Sequence, residues 1–394
     1  PYVTLMRGSR SFGVVTASVI GRLPIGMLSL ALVLHMRAAT GSYVVAGAAA
    51  AGYALGSGAG SPLLGRLADR LGQRPVLLAT AAGGALPLVV LVAAPQPVEP
   101  TISVSLATLA GMLTPPLTAC IRALWPKLVR SAWEADRAYA FDAILIELIY
   151  FLGPIIVAAT VALASPAAGV LLAASLGAIG SVTFAMSPAS QDWHPEPEAG
   201  RRPSALRTPG MLVIVTVLLV WSVAFGVLEV AVPAFANLHG VPASAGVLLA
   251  AFAAGSVVGG LWYGARAWHR PAVERHRLAL VAYAVGLIPL SFANSIPAML
   301  ILITIAGLSL APVASSAFRL VPEIAPPGTL TEAYAWIEMA LAAGLAIGAA
   351  ITGWLVDAAG VKWALSTALA GPMIAIGAAT LGRSRLDQRL PMHQ

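Results

Sequence analysis

Residues 65–75 read Gly-Arg-Leu-Ala-Asp-Arg-Leu-Gly-Gln-Arg-Pro and lie between two long apolar stretches, 42–64 and 75–95. Only 10% of the chain is charged, yet this short segment holds three arginines and an aspartate. The charged residues are Arg66, Arg70, Arg74 and Asp69. Gly65 and Gly72, near its two ends, allow close backbone approach or a positive φ. We therefore predict a tight charged loop between two apolar helices.

The composition of the whole chain is that of a polytopic membrane protein. Of its 394 residues, 59% are hydrophobic, whereas a soluble domain has about 45–50% apolar and about 25% charged residues. The apolar segments are unbroken and about 20 residues long, the length of a transmembrane helix rather than of a barrel strand. The single cysteine, Cys120, excludes an intramolecular disulfide and a cysteine-based zinc site. We expect no metal, no cofactor and no nucleic-acid partner.

Hydropathy predicts twelve transmembrane spans, which we number in chain order. They cover residues 12–35, 42–64, 75–95, 101–124, 138–163, 167–187, 210–236, 242–265, 275–293, 296–320, 330–356 and 362–382. Residues 189–209 are polar and rich in proline, which is typical of a linker. The predicted organisation is thus an N-terminal six-helix half (1–188), a cytoplasmic linker (189–209) and a C-terminal six-helix half (210–394).

The distribution of Lys and Arg predicts the orientation of these spans. With the N-terminus in the cytoplasm, 20 of the 23 basic residues lie in cytoplasmic tails, loops and helix ends. Only Arg37 and Lys362 fall outside, and Arg22 lies within span 1. The positive-inside rule therefore places both termini in the cytoplasm. We expect the protein to lie in the inner (cytoplasmic) membrane of the cell. The positive charge of the chain, +7, is explained by this topology.

The two halves repeat one another along the sequence. Phe225-Gly226 corresponds to Ile25-Gly26 at an offset of 200 residues, and Ala333-Tyr334 corresponds to Ala138-Tyr139 at 195. Intermediate offsets relate Gly255 to Gly56 and Arg319 to Arg122. A smoothly shrinking offset indicates a duplication with small deletions, and six intervening spans make the repeat parallel. Glycines spaced by four also form stripes that favour close helix packing, at 52, 56 and 60, at 255 and 259, and at 344 and 348.

The loop at 65–75 resembles the signature of the major facilitator superfamily, G-x-L-a-D-r-x-G-r-[kr]. The matching residues are Gly65, Leu67, Asp69, Arg70, Gly72 and Arg74, while Gln73 replaces a frequent basic residue. The resemblance implies twelve transmembrane helices in two pseudo-symmetric halves. It also implies that the aspartate faces the end of a neighbouring helix and that Gly65, Asp69, Arg70, Gly72 and Arg74 form a conformational latch. A plain cytoplasmic retention signal would explain the arginines but not Asp69 or the glycine spacing.

Charges within apolar spans are the first candidates for function, because each costs about 2.5–3.5 kcal/mol at mid-helix. Arg22 in span 1 and Glu147 in span 5 lie about 15 Å into their helices, at 1.5 Å per residue, near the bilayer midplane. They either form a structural ion pair or bind substrate and carry a proton. Asp142 and Glu338, nearer the cytoplasmic ends of spans 5 and 11, are further substrate or proton candidates. We interpret Arg122 and Arg319 as side chains that snorkel to the interface.

An aromatic stripe in span 7 adds a candidate binding wall. Trp221, Phe225 and Glu229 are spaced by four residues and therefore lie on one helix face. Two aromatic rings and an acid suit an amphipathic or cationic ligand. The alternatives are a plain packing stripe and, for Glu229, a hydrated outer vestibule.

These features predict a secondary active transporter that moves a small organic molecule by alternating access. Gly153-Pro154 partly matches the antiporter signature g-x-x-x-G-P-x-x-G-G of the same family, which favours efflux by H⁺ antiport. The alternative is H⁺ symport of a small organic anion, anchored by Arg22. We expect a monomer whose partners are the substrate and the lipid bilayer, driven by the proton gradient. A membrane enzyme or a receptor-like member is the other class, but the sequence holds no HExxH, GxSxG or P-loop motif.

Overall fold

The structure is a computed structural model that describes residues 9–41, 43–94, 99–129, 131–193, 204–241 and 244–386. Within these residues the secondary structure is helical throughout. The helices are α1 (Ser9–Thr40), α2 (Tyr43–Leu71), α3 (Gln73–Ala93), α4 (Pro100–Met112), α5 (Leu117–Leu128), α6 (Ala132–Leu163), α7 (Pro166–Ala185), α8 (Pro188–Gln191), α9 (Pro209–Leu238), α10 (Ser244–Ala265), α11 (Ala272–Leu287), α12 (Ile296–Gly307), α13 (Leu310–Ile324), α14 (Leu330–Ala359), α15 (Val361–Thr367), α16 (Ala370–Leu381) and α17 (Arg383–Leu386). Short 3₁₀ turns cover Ala205–Arg207 and Ile288–Phe292.

The chain forms two compact units that follow its two halves with one exchange. Unit 1 comprises 1–128, 148–202 and 327–336, and unit 2 comprises 129–147, 203–326 and 337–394. The first turns of α6 therefore belong to unit 2, and the first two turns of α14 belong to unit 1. Hydropathy did not predict that these two segments belong to the other unit, because it locates the membrane spans but does not indicate which helices pack together. Residues 194–203 of the predicted linker lie outside the described residues.

Three predicted spans are each built from two helices, and one of them is span 12, which consists of α15 and α16. Span 4 consists of α4 and α5, interrupted where Pro115 and Pro116 lack the N–H groups that would continue the helix. Span 10, its counterpart in the repeat, consists of α12 and α13. Pro312 there has no N–H group that could donate to the carbonyl of Leu308, four residues earlier. The helix α12 ends at Gly307, and α13 begins at Leu310. The same discontinuity in both halves supports the duplication.

Glycine stripes bring backbones into contact inside each unit. In unit 1, a Cβ atom added to Gly56 of α2 would collide with the carbonyl oxygen of Thr108 in α4. In unit 2, one added to Gly255 of α10 would collide with that of Thr304 in α12. Gly348 of α14 faces the carbonyl of Val223 in α9 in the same way. The prediction of close packing along these stripes is confirmed, and side chains at these sites would force the helices apart.

Ten stretches of the described chain are long and apolar enough to cross a membrane. The two predicted spans that miss this measure have evident reasons. The helix α2 is rich in glycine and alanine, whose short side chains make a span less apolar. The helix α11 ends after 16 residues, and the chain continues as a 3₁₀ turn that contains Pro289. Counting both, the chain has the twelve helices, in two six-helix halves, that the sequence predicted.

Candidate functional sites

The prediction of a loop over residues 65–75 is wrong, because α2 continues to Leu71 and α3 begins at Gln73, so that only Gly72 lies outside a helix. The signature loop is therefore the last two turns of α2, the turn at Gly72 and the start of α3, and it contacts the start of α14 within unit 1. The Asp69 carboxylate accepts two backbone hydrogen bonds, from the Thr331 amide to Oδ1 at 3.0 Å and from the Glu332 amide to Oδ2 at 2.7 Å. The first amides of a helix have no partner inside the helix, and the helix dipole favours an anion there. Asp69 therefore caps a helix that lies more than 260 positions away in sequence. This is the contact that the resemblance implied for the aspartate.

The residues around Asp69 fit closely against the same helix start. Gly65 lies so near α14 that an added Cβ would be 2.8 Å from Cβ of Ala335 and 2.9 Å from the carbonyl oxygen of Thr331. The Nε atom of Arg66 is 3.8 Å from Oε2 of Glu332, whose side chain is buried. Gly72 has φ +93°, as its position in a tight turn predicted. Arg70 and Arg74 are exposed, so their part in a latch stays a prediction.

Gln73 has a role that the sequence did not reveal. It stands where the family signature often has a basic residue, yet its side chain is fully buried. Its Nε2 donates a hydrogen bond to the carbonyl oxygen of Cys120 in α5, at 3.1 Å. A neutral amide can be buried against a backbone carbonyl at far less cost than a cation. Gln73 thus ties the start of α3 to α5 behind the loop.

Burial has a marked effect on the acidity of Asp69, which follows the predicted span 42–64. Its side chain is 3% exposed. Desolvation raises the pKa of Asp69 from 3.8 to about 7, and the hydrogen bonds from Thr331 and Glu332 oppose that rise. The nearby carboxylate of Glu332 adds to the rise. The loop therefore carries a carboxyl group that titrates near neutral pH.

The corresponding contact in unit 2 uses different chemistry. The start of α6 meets the end of α10, where Nε of Arg137 donates to the carbonyl oxygen of Gly264 at 3.3 Å. Gly264 corresponds to Gly65 at an offset of 199, and Trp268 stands where an aspartate equivalent to Asp69 would fall. Instead of accepting helix amides, this loop accepts a hydrogen bond from a side chain of the helix.

A buried charge network lies beside that contact. Oδ2 of Asp136 in α6 is 2.9 Å from Nη1 of Arg275 in α11, and both side chains are less than a tenth exposed. Oδ1 of Asp136 is 3.8 Å from Nε of Arg319 in α13. The interpretation of Arg319 as a snorkelling side chain is therefore wrong, because it joins a network inside the protein. Arg122 is only 2% exposed, and the same interpretation is wrong for it.

Glu147 lies within unit 2 beside neutral polar groups. Its Oε1 accepts a hydrogen bond from the Ser256 hydroxyl of α10 at 3.5 Å. Among the described residues of this unit, Glu147 has no basic partner. Arg22 belongs to unit 1, so the predicted pair of Arg22 with Glu147 stays a prediction.

The aromatic stripe of α9 contacts two neighbouring helices. The Trp221 ring meets that of Tyr283 edge-on, with centroids 5.9 Å apart. Phe225 stacks on Phe252 of α10, with centroids 6.0 Å apart. Glu229, the third residue of the stripe, is exposed. The structure therefore brings Glu147, Trp221 and Phe225 to the same group of helices, α9, α10 and α11, while Glu229 lies apart from these ring contacts.

The remaining candidates are buried to different degrees. The Arg22 side chain is 1% exposed in α1, and its Nε donates to the Ser18 carbonyl oxygen at 3.3 Å. Asp142 in α6 is fully buried, and Glu338 in α14 is half-buried. Their roles in binding substrate or protons stay predictions. In the described part of the chain, no group of three or more His, Cys, Asp or Glu side chains is arranged to hold a metal ion.

Comparison with known proteins defines the class of this fold. The human organic anion transporter MFSD10 (TETRAN) is similar to the chain with a TM-score of 0.71 and 17% identity, over 93% of this chain and 99% of that one. A bacterial homologue of the iron transporter ferroportin, crystallised in an outward-facing state with and without soaked iron, gives a TM-score of 0.75 and 14% identity, over 95% and 99%. The chain thus has the fold of a multi-pass membrane transporter.

The sequence itself assigns the family. The profile of the Major Facilitator Superfamily matches residues 14–277 and 276–389. The chain belongs to this superfamily of membrane transporters. No curated protein sequence matches it.

Proposed function

We propose that the protein is a proton-coupled secondary transporter that exports a small organic molecule by antiport through the cytoplasmic membrane. The observation that supports coupling is the position of Glu147. It is an acid within an apolar helix, and in its own unit its hydrogen-bond partner is a neutral hydroxyl, that of Ser256. Such a group can bind and release a proton during a transport cycle without first breaking an ion pair in that unit.

The aromatic contacts next to Glu147 suit an organic substrate. Trp221 and Phe225 present their rings toward Tyr283 and Phe252, so apolar surface and two polar groups, the Tyr283 hydroxyl and the Trp221 Nε1, occur on the same helices. Both polar atoms are buried and donate no hydrogen bond to the described residues. Ligand sites commonly combine apolar walls with a few polar groups of this kind.

The loop contact supports a cycle with distinct conformations. Asp69 is held by α14, a helix of the second half of the sequence, through two hydrogen bonds that can break and re-form as a unit. We propose that this contact is a cytoplasmic latch, to which Gly65, Arg70, Gly72 and Arg74 contribute. Alternating access requires such a two-state element.

Transport in proteoliposomes tests the proposal. Pyranine trapped inside the vesicles reports proton movement when members of a panel of organic cations and neutral drugs are added under an imposed pH gradient. We expect at least one compound to drive proton flux in the wild type, and Glu147→Gln to abolish uphill transport while retaining substrate exchange. Glu229→Gln is the matched control, since Glu229 is exposed. Uphill transport by Glu147→Gln at the wild-type rate would exclude Glu147 as the proton carrier.

Uptake of a small organic anion by H⁺ symport is the second candidate function. The observation that favours it is the deep burial of the Arg22 guanidinium in α1, because a buried cation inside a span is costly unless it serves binding or pairing. One of the structurally similar proteins transports organic anions, although the likeness to it shows only the fold. Counterflow of a labelled organic anion that disappears in Arg22→Gln, but not in Arg37→Gln, would favour symport over export.

A further inference from the structure

A cavity of about 250 Å³ lies inside unit 2, next to the first turns of α6. Five structural elements contribute to its wall: α6, the loop between α10 and α11, α11, α13 and α17. The charged side chains that line it are Asp136, Arg270, Arg275, Arg319 and Glu323. Its volume equals that of several water molecules at about 30 Å³ each, so it can hold a small polyatomic group.

Two guanidinium groups in this wall have unused donors. Nη1 of Arg275 donates to Asp136 and to the Tyr263 hydroxyl, and Nη1 of Arg319 donates to Glu323 at 2.8 Å. The Nε atoms of both arginines are buried and donate no hydrogen bond to the residues that the structure describes. A buried charged donor without an acceptor costs more free energy than a hydrogen bond usually contributes. Nε of Arg319 faces Oδ1 of Asp136 at 3.8 Å, beyond hydrogen-bond distance, whereas Nε of Arg275 has no acceptor among the described residues. The Arg275 Nε–H group can therefore donate to an acceptor from outside the chain.

The charge of the wall indicates the sign of that acceptor. Three arginines face two carboxylates, so the lining carries a net positive charge. The rings of Trp133 and Trp268 complete it, and Cζ of Arg275 lies 5.9 Å from the Trp268 ring centroid. A guanidinium binds tetrahedral oxyanions through paired N–H donors, and it does so more readily than an ammonium group.

We propose that this cavity is a binding site for a phosphate group, held by the Nε–H donor of Arg275 and the guanidinium group of Arg319, with Arg270 at its rim. The phosphate is either free orthophosphate or the headgroup of a phosphomonoester lipid. The phosphate oxygens also compete with Asp136 for both arginines. Binding of phosphate therefore weakens the ion pairs that attach the start of α6 to the rest of unit 2. The site is separate from Glu147 and does not depend on the proposed transport function.

Thermal unfolding of the purified full chain in detergent tests the site. One titration uses sodium phosphate, with ionic strength held constant by chloride, and a second compares dioctanoyl phosphatidic acid with dioctanoylglycerol, which differ only in the phosphate. A ligand that binds the folded state raises the unfolding midpoint saturably. A shift with orthophosphate assigns a soluble ligand, whereas a shift with phosphatidic acid alone assigns a lipid. No saturable shift with either would overturn the proposal.

Variants separate this site from general electrostatic attraction. Arg319→Gln and Arg270→Gln should each weaken the apparent affinity about tenfold, since each removes a charge-assisted contact. Because Arg270 is exposed, Arg270→Gln should leave the fold intact, and it still tests the site if Arg319→Gln fails to fold. Arg207→Gln is the matched control, because Arg207 is an exposed arginine of unit 2 that does not line the cavity. An equal loss of affinity in the control would show that the shift arises from net charge and not from this cavity.

Discussion

The carboxylate of Asp69 lies 2.7 Å from the backbone amide of Glu332, and this hydrogen bond joins a loop of the first half of the sequence to the start of a helix in the second. The Thr331 amide donates to the other carboxylate oxygen, so the acid satisfies two of the four amides that every helix start leaves without partners. Side chains such as Arg66 and Glu332 add an ion pair at 3.8 Å. On the α14 side the contact therefore depends mainly on backbone N–H groups, which among substitutions only proline would remove.

Replacing Gly65 with alanine should break this contact sterically. The new Cβ would lie 2.8 Å from Cβ of Ala335 and 2.9 Å from the carbonyl oxygen of Thr331, closer than such atoms pack. Overpacking of this kind costs about 1–3 kcal/mol. We expect a lower midpoint of thermal unfolding and greater accessibility of a cysteine placed at Thr331. Gly47→Ala in the same helix is the control, because nothing lies within 4 Å of its added Cβ, and equal effects of the two would contradict the prediction.

The titration of Asp69 should make stability depend on pH. Burial raises its pKa from 3.8 to about 7, so between these values the folded protein keeps a proton that the unfolded chain has lost. Stability from this group is therefore present at acid pH and is lost as pH rises through the window, with a slope approaching about 1.4 kcal/mol per pH unit.

The variant Asp69→Asn isolates this effect from the other titrating groups. It removes the proton but keeps an oxygen that can accept one amide hydrogen bond. The difference between wild-type and variant unfolding midpoints, measured from acid to alkaline pH, should shrink as pH rises. Parallel curves across that range would show that Asp69 does not titrate there.

The pair of Asp136 and Arg275 should be strongly coupled. Both side chains are less than a tenth exposed, and their charged atoms are 2.9 Å apart. Removing one partner of a buried pair leaves the other charge uncompensated and costs about 3–5 kcal/mol. We expect Asp136→Asn and Arg275→Gln each to lower the unfolding midpoint sharply, and the double variant to lose less than their sum.

A second pair in the same unit provides the control for that double-mutant cycle. Arg383 and Glu274 are 3.6 Å apart but 52% and 42% exposed. Exposed pairs contribute about 0–1 kcal/mol, so their coupling energy should be near zero. If the two cycles gave equal coupling, burial of the Asp136 pair would not be the source of its strength.

The membrane spans and the turn at Gly72 could be predicted from the sequence because their signals are local. Twenty apolar residues in a row, and two glycines flanking Asp69, are visible in any short window. The position of Asp69 against α14 required the resemblance as well. The break in span 10 could have been read from Pro312, whose missing N–H affects only the preceding turn.

The charge network of unit 2 could not be predicted because its members are far apart in sequence. Asp136, Arg275 and Arg319 each lie near a helix end, where a single charge indicates only the orientation of the chain. Gln73 was hidden for a related reason, since a polar residue after a loop is usually exposed. Only the packing of α3 on α5 shows that Gln73 is buried. Likewise, nothing in the sequence indicates which helix the start of α6 contacts.

The order in which the chain is synthesised delays the formation of two contacts, that of Asp69 with the start of α14 and that of the start of α6 with α10 and α11. The ribosome makes Asp136 and Arg137 long before it makes Arg275 and Gly264, which those side chains contact in unit 2. Asp69 likewise must wait for Thr331 and Glu332. A nascent chain that ends before α9 therefore has Asp136 at the start of α6 without the two arginines of its charge network, and Asp69 near the end of α2 without the two helix amides that it caps. Insertion of the second half supplies the partners of both, so neither unit is complete until almost the whole chain has left the ribosome.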